Sequence, residues 1–187
     1  MPKKVLILEG SARKNGNTDL LSNEFINGAE SIGLQTEKVY LHDKEIKCCI
    51  GCRKCQSNGG NCIRKDDATA ILQKMLDADY IVLASPVYFY SFTGLLKMLL
   101  DRSFSIEKRM TGKTFYLITS GGAPEHKYYE TIETCYLNYI GCFEKTVNGG
   151  IIHAYGMAQK GDVKGSSIML DTYNKGRRLP LSRISEI

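Results

Sequence analysis

The stretch Val5-Leu6-Ile7-Leu8-Glu9-Gly10-Ser11-Ala12-Arg13-Lys14-Asn15-Gly16-Asn17-Thr18 decides the fold of this 187-residue chain. Its first four residues are consecutive and apolar, a pattern typical of a strand buried on both faces of a sheet. A helical spacing of apolar residues begins at Thr18, so the chain passes from strand to helix through one loop. Strand, loop and helix in this order predict the first unit of an α/β fold.

The loop in this stretch has the composition of an anion site. Ser11, Asn17 and Thr18 supply short hydroxyl and amide donors, and Gly16 lets backbone N–H groups approach a ligand closely. Arg13 adds a forked positive charge. These groups precede a helix N-terminus, where the helix dipole favours negative charge, so the loop predicts a bound phosphate. An ordinary strand-to-helix turn capped by Asn17 or Thr18 is the alternative interpretation.

Strands and helices alternate five times along the chain. Apolar patterns predict strands at 5–8, 34–41, 80–84, 114–119 and within 143–153, and helices at 18–32, 68–77, 94–104, 124–140 and within 163–178. Such alternation without an internal repeat predicts a parallel sheet with helices on both faces. Five strands favour a three-layer, flavodoxin-like α/β fold with strand order 2-1-3-4-5. A ligand crevice is then expected at the carboxyl edge between strands 1 and 3.

Length and composition predict a single domain, 1–187, with a cysteine-rich loop at about 45–65. The chain is 43% hydrophobic and 24% charged, and no apolar run has the length of a membrane span or a signal peptide. We therefore expect a cytoplasmic protein without a membrane partner. The net charge is +5, but lysines and arginines are scattered without interleaved aromatic residues, so no nucleic-acid partner is expected.

Two further loops are unusual, and each follows a predicted buried strand. After strand 3, which Ser85-Pro86 is expected to break, the chain continues Val87-Tyr88-Phe89-Tyr90 and could form an apolar wall against a planar ligand. After strand 4, the glycines of Ser120-Gly121-Gly122 let N–H groups point at negative charge on a ligand. A hydrophobic loop that caps the core and a plain turn are the respective alternatives.

These loops resemble those of the NAD(P)H-dependent FMN reductase family. The string G-S-x-R-x-x-G-N-T at 10–18 is similar to the family's FMN-phosphate loop, although many members have Pro where this chain has Ala12. The string S-P-V-Y at 85–88 and the helix at 94–102 resemble the family's flavin-ring loop and dimer-interface helix. The resemblance covers about residues 3–122.

The resemblance implies bound FMN that is reduced by NADH or NADPH and passes electrons to a small-molecule acceptor. A quinone, a nitro or azo compound, another flavin or a metal ion would suit as acceptor, and a homodimer or homotetramer is expected. No catalytic side chain is expected, because the flavin carries the chemistry. The predicted cofactor-binding residues are Ser11, Arg13, Gly16, Asn17, Thr18, Pro86, Val87, Tyr88, Phe89, Ser120, Gly121 and Gly122.

Four cysteines, Cys49, Cys52, Cys55 and Cys62, are spaced closely enough to hold a [4Fe–4S] cluster. The string resembles the compact cluster motif of iron-sulfur flavoproteins, a branch of the same superfamily. It implies an alternative function in which electrons pass between the cluster and FMN, to or from a ferredoxin-like protein. A zinc site and metal-free thiols stay open as alternatives.

The remaining cysteines and the histidines are expected to have no functional role. Cys135 and Cys142 are interpreted as small buried hydrophobic residues. His42, His126 and His153 lie far apart in sequence and are interpreted as structural or incidental. A flavodoxin-type electron carrier is the rival function from another class, but such carriers are usually acidic for docking on basic partners, whereas this chain is basic.

Overall fold

The computed structural model describes residues 3–181 and contains a five-stranded, fully parallel sheet. The strand order is β2-β1-β3-β4-β5, which confirms the predicted topology and places β2 at an edge. The ends of the predicted domain, 1–2 and 182–187, lie outside the described residues. The strands are β1 Lys4–Glu9, β2 Gln35–Tyr40, β3 Tyr80–Pro86, β4 Thr114–Ser120 and β5 Val147–Ala154.

Helices cover both faces of the sheet and complete the three layers. The helices are α1 Asn17–Glu30, α2 Lys54–Ser57, α3 Ala68–Asp77, α4 Gly94–Arg102, α5 Glu130–Gly141 and α6 Ser167–Arg177, with 3-10 turns at Leu41–Asp43, Ser103–Arg109 and His126–Tyr128. Helices α1 and α6 pack on one face, and α3, α4 and α5 pack on the other. None of the helices within residues 3–181 combines the length and the apolar character that crossing a membrane would require.

The apolar run of β1 is buried on both faces of the sheet, as its pattern predicts. Leu6 and Leu8 pack toward α3, α4 and α5, whereas Val5 and Ile7 pack toward α1 and α6. All four side chains are at most 2% exposed. Because strand side chains alternate between faces, a central parallel strand needs apolar residues at every position.

Helices α1 and α6 touch through their backbones. An added methyl group at Gly28 would lie 2.0 Å from the Tyr173 carbonyl oxygen, and one at Gly176 would lie 2.1 Å from the Phe25 carbonyl oxygen. Either contact is far below van der Waals separation. The absence of a side chain at both positions therefore sets the spacing of these two helices.

Some element ends differ from the predictions. β3 continues through Ser85 and Pro86 instead of breaking there; β1 ends opposite Ala84, so the missing N–H of Pro86 leaves no ladder bond unmade on that side. Helix α5 begins at Glu130, later than expected.

The two cysteines outside the loop are exposed. Cys135 is exposed because α5 buries a different face.

The second cysteine outside the loop is also exposed. Cys142 lies at the C-cap of α5, where its thiol donates to the Asn138 carbonyl oxygen at 3.3 Å. The prediction that Cys135 and Cys142 are buried is therefore wrong, because helical spacing places the inward positions of α5 at Ile132, Tyr136 and Ile140.

Candidate functional site

The loops that follow β1, β3 and β4 line one cleft at the carboxyl edge of the sheet. The cleft has about 580 Å³ of empty volume, including its open mouth. All of the predicted cofactor-binding residues except Phe89 line it. They are Ser11, Arg13, Gly16, Asn17, Thr18, Pro86, Val87, Tyr88, Ser120, Gly121 and Gly122, joined by Met157, Ala158 and Lys160.

Hydrogen bonds hold the start of the first loop against its neighbours. The Gly10 N–H donates to the Ala84 carbonyl oxygen at 2.8 Å, and the Thr93 hydroxyl donates to the Gly10 carbonyl oxygen at 2.9 Å. A side chain at Gly10 would clash, because an added Cβ would lie 2.8 Å from Thr93 Oγ1. The Arg13 N–H donates to Ser11 Oγ at 3.1 Å, so the Ser11 hydroxyl keeps its own proton for a ligand.

Several donors at the start of α1 are available to an anion. The first N–H groups of a helix have no intrahelical partners. Thr18 Oγ1 and Ser120 Oγ lie 2.7 Å apart and share one hydrogen bond, so one hydroxyl proton of the pair stays available. The exposed Arg13 guanidinium has no partner among residues 3–181. This set suits the phosphate of a cofactor.

The Asn17 side chain holds a neighbouring segment and does not serve as an anion donor. Its amide nitrogen donates to the carbonyl oxygens of Met157 and Gln159 at 3.2 and 2.8 Å. Its oxygen accepts from the N–H groups of Gly161 and Val163 at 2.9 and 3.3 Å. The predicted amide donor is therefore engaged elsewhere, and Asn17 positions the segment that adds Ala158 and Lys160 to the cleft. Sequence reasoning missed that segment, although it follows β5 at the same edge of the sheet.

A buried carboxyl group lies directly beneath the first loop. Glu9 is fully buried; its Oε1 accepts from the Ser11 N–H at 3.0 Å and its Oε2 from the Ser22 hydroxyl at 2.8 Å. Burial raises the pKa of Glu9 to about 7, against opposing effects of the Ser22 hydrogen bond and of the Lys38 charge. Glu9 was not predicted as a site residue, although a glutamate ending an apolar strand is a visible signal.

The glycines after β4 offer fewer donors than predicted. The Gly121 N–H donates to the Ala154 carbonyl oxygen at 3.2 Å, so of the two glycine N–H groups only that of Gly122 has no partner among residues 3–181. An added Cβ at Gly121 would lie 2.8 Å from the Tyr129 hydroxyl. Gly121 is thus needed for close packing, and Gly122 is the candidate donor to a ligand.

Phe89 lies outside the cleft, contrary to its predicted role. Phe89 and Tyr90 have φ values of +48° and +65°, and Tyr88 and Ser91 exchange two backbone hydrogen bonds of 3.1 Å around them. This is a two-residue turn of type I′, whose central positions normally carry Asn and Gly. The turn leaves the Phe89 side chain 99% exposed, while Tyr88 and Val87 line the cleft.

The four predicted metal-binding cysteines line a second pocket, beside α4. Cys49, Cys52, Cys55 and Cys62 share it with Arg64 and Arg102 among others, and all four thiols are free. A mononuclear zinc site would hold its sulfurs about 3.8 Å apart, given Zn–S bonds of about 2.3 Å. Among residues 3–181, these cysteines do not form a group of three ligands within 4.8 Å. Thiolates of a [4Fe–4S] cluster bind different irons and stand farther apart.

Arg102 organises the cysteine loop from below. Its guanidinium is buried and binds Asp66 in a bidentate fashion, with N···O distances of 2.6 and 3.0 Å. It also donates to the carbonyl oxygens of Lys47 and Arg64. The Nε atoms of Arg64 and Arg102 are buried and have no partner. These two N–H groups lie in the pocket that the four cysteines line and lack acceptors. The sulfur atoms of an iron-sulfur cluster accept N–H hydrogen bonds, so the pocket fits such a cluster.

The fold also brings two of the three histidines together. His126 and His153 both contact Glu133, although 27 residues separate the two histidines in sequence. His42 lies apart from them, in the 3-10 turn after β2. The sequence did not predict that His126 and His153 would contact the same residue, because they are far apart along the chain.

Known proteins are similar to this chain in sequence or in fold. A family model described as NADPH-dependent FMN reductase matches residues 3–128. An iron-sulfur flavoprotein of Methanocaldococcus jannaschii is 48% identical over 100 residues, which are 54% of this chain and 51% of that protein. A Bacillus subtilis protein named as an NAD(P)H-dependent FMN-containing oxidoreductase is 28% identical over 172 residues, 87% of this chain and 84% of its own.

A solved structure confirms the fold. The NAD(P)H:quinone oxidoreductase from Methanothermobacter marburgensis superposes with a TM-score of 0.76 at 17% identity, covering 96% of this chain and all of that one. At this identity the likeness shows a shared fold alone. The chain spans about half the length of three of the iron-sulfur flavoproteins that it matches, including the one from Methanocaldococcus jannaschii described above.

Proposed function

The chain belongs to the NADPH-dependent FMN reductase family, and on this premise we propose that it passes electrons from NADH or NADPH through bound FMN to a small acceptor. The observation that carries the proposal is the cleft at the carboxyl edge, where three loops bring an anion site and an apolar wall together. This is the crevice that a doubly wound sheet offers to ligands.

The residues of the cleft divide into two groups. Ser11, Arg13 and Thr18, with the first N–H groups of α1, would hold the phosphate of FMN. The segments 86–88 and 120–122 would hold the flavin ring, with Val87 as apolar wall and the Gly122 N–H as a donor. FMN, when bound, would supply the hydride and electron chemistry, and the protein would orient the ring and exclude water from one side of it.

The test of this proposal compares FMN with riboflavin, which lacks the phosphate. A charge-assisted hydrogen bond contributes about 1.5–3 kcal/mol, so Arg13→Ala should weaken FMN binding by about 10- to 150-fold and leave riboflavin binding unchanged. Lys14→Ala is the matched control, since its charge is neighbouring but paired with Asp43 at 2.8 Å. Equal losses for both ligands, or no flavin bound at all, would contradict the proposed site.

Turnover is tested with the same preparation. Steady oxidation of NADH or NADPH in the presence of a quinone, a nitro or azo compound, free flavin or ferric ion identifies the acceptor class. Failure to oxidise either nucleotide with every acceptor would favour a flavodoxin-type carrier. We also propose a homodimer or homotetramer in the cytoplasm, which sedimentation and cell fractionation test directly.

A second candidate function is favoured by the cysteine pocket. The four clustered cysteines and the unpartnered Nε atoms of Arg64 and Arg102 support a [4Fe–4S] cluster that exchanges electrons with FMN and a ferredoxin-like protein. Protein purified without oxygen should then contain about four irons and four sulfides per chain. Cys52→Ser should lose the iron, whereas Cys48→Ser, outside the pocket, should keep it. A flavin spectrum with near-zero iron would reject the cluster.

A further inference from the structure

Two histidines and a glutamate converge beside the loop that follows β4. His126 belongs to the 3-10 turn before α5, Glu133 to α5, and His153 to the end of β5. Glu133 Oε1 lies 2.8 Å from His126 Nε2 and 2.5 Å from His153 Nε2. The three ligand atoms lie within 4.8 Å of one another, and no other such group of three occurs in the part of the chain that the structure describes.

The surroundings hold the rings in this orientation and leave one side open. The His153 side chain is 6% exposed, and its ring lies 5.0 Å from that of Tyr129, centroid to centroid. The His126 side chain is 54% exposed, so the cluster is reached by solvent from that side. Tyr155 packs against both imidazoles, with centroid distances of 6.3 Å to His126 and 5.6 Å to His153.

We propose that His126, Glu133 and His153 bind one divalent transition-metal ion of the zinc class, with a fourth position open to solvent. Imidazole nitrogens and a carboxylate oxygen are ligands that Zn²⁺ takes at about 2.0–2.2 Å, and three protein ligands with one open position form a known type of zinc site. Tetrahedral geometry at these bond lengths separates ligand atoms by about 3.3 Å. The two distances from Glu133 Oε1 to the Nε2 atoms, 2.8 and 2.5 Å, would each lengthen by less than about 1 Å to reach this spacing.

An acceptor lies behind the His153 ring, where Thr119 Oγ1 is 2.5 Å from Nδ1. Glu130 Oε1 lies 3.7 Å from His126 Nδ1, which is within ion-pair range but too long for a hydrogen bond. When Nδ1–H donates to such an acceptor, Nε2 is left unprotonated and free to bind a metal. Without a metal, each Nε2–H instead donates to Glu133. The two states differ in which nitrogen carries the proton, and that difference can be measured.

The ion would connect parts of the molecule that are remote in sequence. It would tie α5 and the turn before it to β5, beside Thr119, which directly precedes the Ser120–Gly122 loop of the cleft. The ligand types differ from those of the cysteine pocket, since imidazole and carboxylate suit zinc-class ions whereas four thiolates also suit an iron-sulfur cluster. The two sites can therefore be occupied separately.

The experiment is a titration of the FMN-bound protein with Zn²⁺, after treatment with a chelator, followed by ¹⁵N NMR of labelled histidines. The chain has three histidines, so His42 serves as an internal control. We expect the Nε2 signals of His126 and His153 to shift together, the proton of each ring to be found on Nδ1, and His42 to be unchanged. Zinc bound by the cysteines would raise the number of zinc ions per chain without changing the chemical shifts of the histidines.

Glu133→Gln tests the third ligand in a side chain of the same size. Loss of the charged oxygen should weaken the zinc affinity, measured from the histidine signals, by at least about 100-fold. Loss of a residue that only hydrogen-bonds to a metal ligand can cost as little as about tenfold. Glu125→Gln is the matched control, because Glu125 is adjacent to His126 in sequence but is exposed and pairs with Lys127 at 2.7 Å. If both histidines keep Nε2–H at saturating zinc, or if Glu133→Gln binds as tightly as the parent, the group is a hydrogen-bonded cluster and the proposal is wrong.

Discussion

Replacing Glu9 with glutamine should change the pH dependence of stability more than stability itself. The native carboxyl group is buried with Ser11 and Ser22 as hydrogen-bond partners, and burial raises its pKa from 4.5 to about 7. Native protein therefore keeps this proton at pH values where unfolded protein has lost it. Stability from this group is fully present below pH 4.5 and decreases as the pH rises to about 7.

The magnitude follows from the same two pKa values of Glu9. The interval from 4.5 to about 7, at about 1.36 kcal/mol per pH unit, corresponds to about 3 kcal/mol of lost stability. Glutamine mimics the protonated acid, because its oxygen can accept from the Ser11 N–H while its amide donates to Ser22. The free energy of unfolding of Glu9→Gln minus that of the parent should increase by about 2.5 kcal/mol between pH 5 and pH 8.

The assay is urea unfolding of both proteins at pH 5, 6, 7 and 8, with one fixed FMN concentration, since FMN stabilises the native state by mass action. Glu144→Gln is the control, because it removes the same charge from an exposed residue that forms no ion pair within the part of the chain that the structure describes. Parallel stability curves for Glu9→Gln and the parent would refute the reasoning, since they would mean that the native Glu9 titrates like the unfolded residue.

Three further substitutions test local features of the fold. Phe89→Asn should raise the free energy of unfolding by about 0.5–1 kcal/mol, because Asn tolerates the positive φ of this exposed turn position, whereas Phe89→Leu should bring no gain. Gly176→Ala should lower it by at least about 2 kcal/mol, measured by urea unfolding, because its methyl group would force α6 away from α1; an unchanged midpoint would contradict the backbone contact. Asp66→Ala should cost about 3–5 kcal/mol in thermal or urea unfolding, since it leaves the Arg102 charge buried and unpaired, and a loss below 1 kcal/mol would mean that water reaches Arg102.

Much of the fold could be predicted from the sequence because its signals are local. The branched apolar run of β1 and the helical spacing after Thr18 depend on neighbours two to four positions away, as do the bounds of α3, which match the predicted 68–77. Alternation of strands and helices then leaves few topologies, because crossovers are right-handed and short. The strand order of the sheet could therefore be predicted from the sequence. The position of three loops at the same edge of the sheet could be predicted as well.

The sequence by itself determined the architecture, the cleft and the family. Only the tertiary structure decided what individual side chains do there: Asn17 bonds to residues about 140 positions away, and Glu9 sits in a dry site beneath its own loop. It also decided that His126 and His153 share Glu133, and that Phe89 leaves the cleft on a strained turn. The physical reason is that the spacing of apolar residues along the chain indicates which face of a strand or helix is buried. Hydrogen bonds, desolvation and ligand geometry depend instead on residues that come together only when the chain packs.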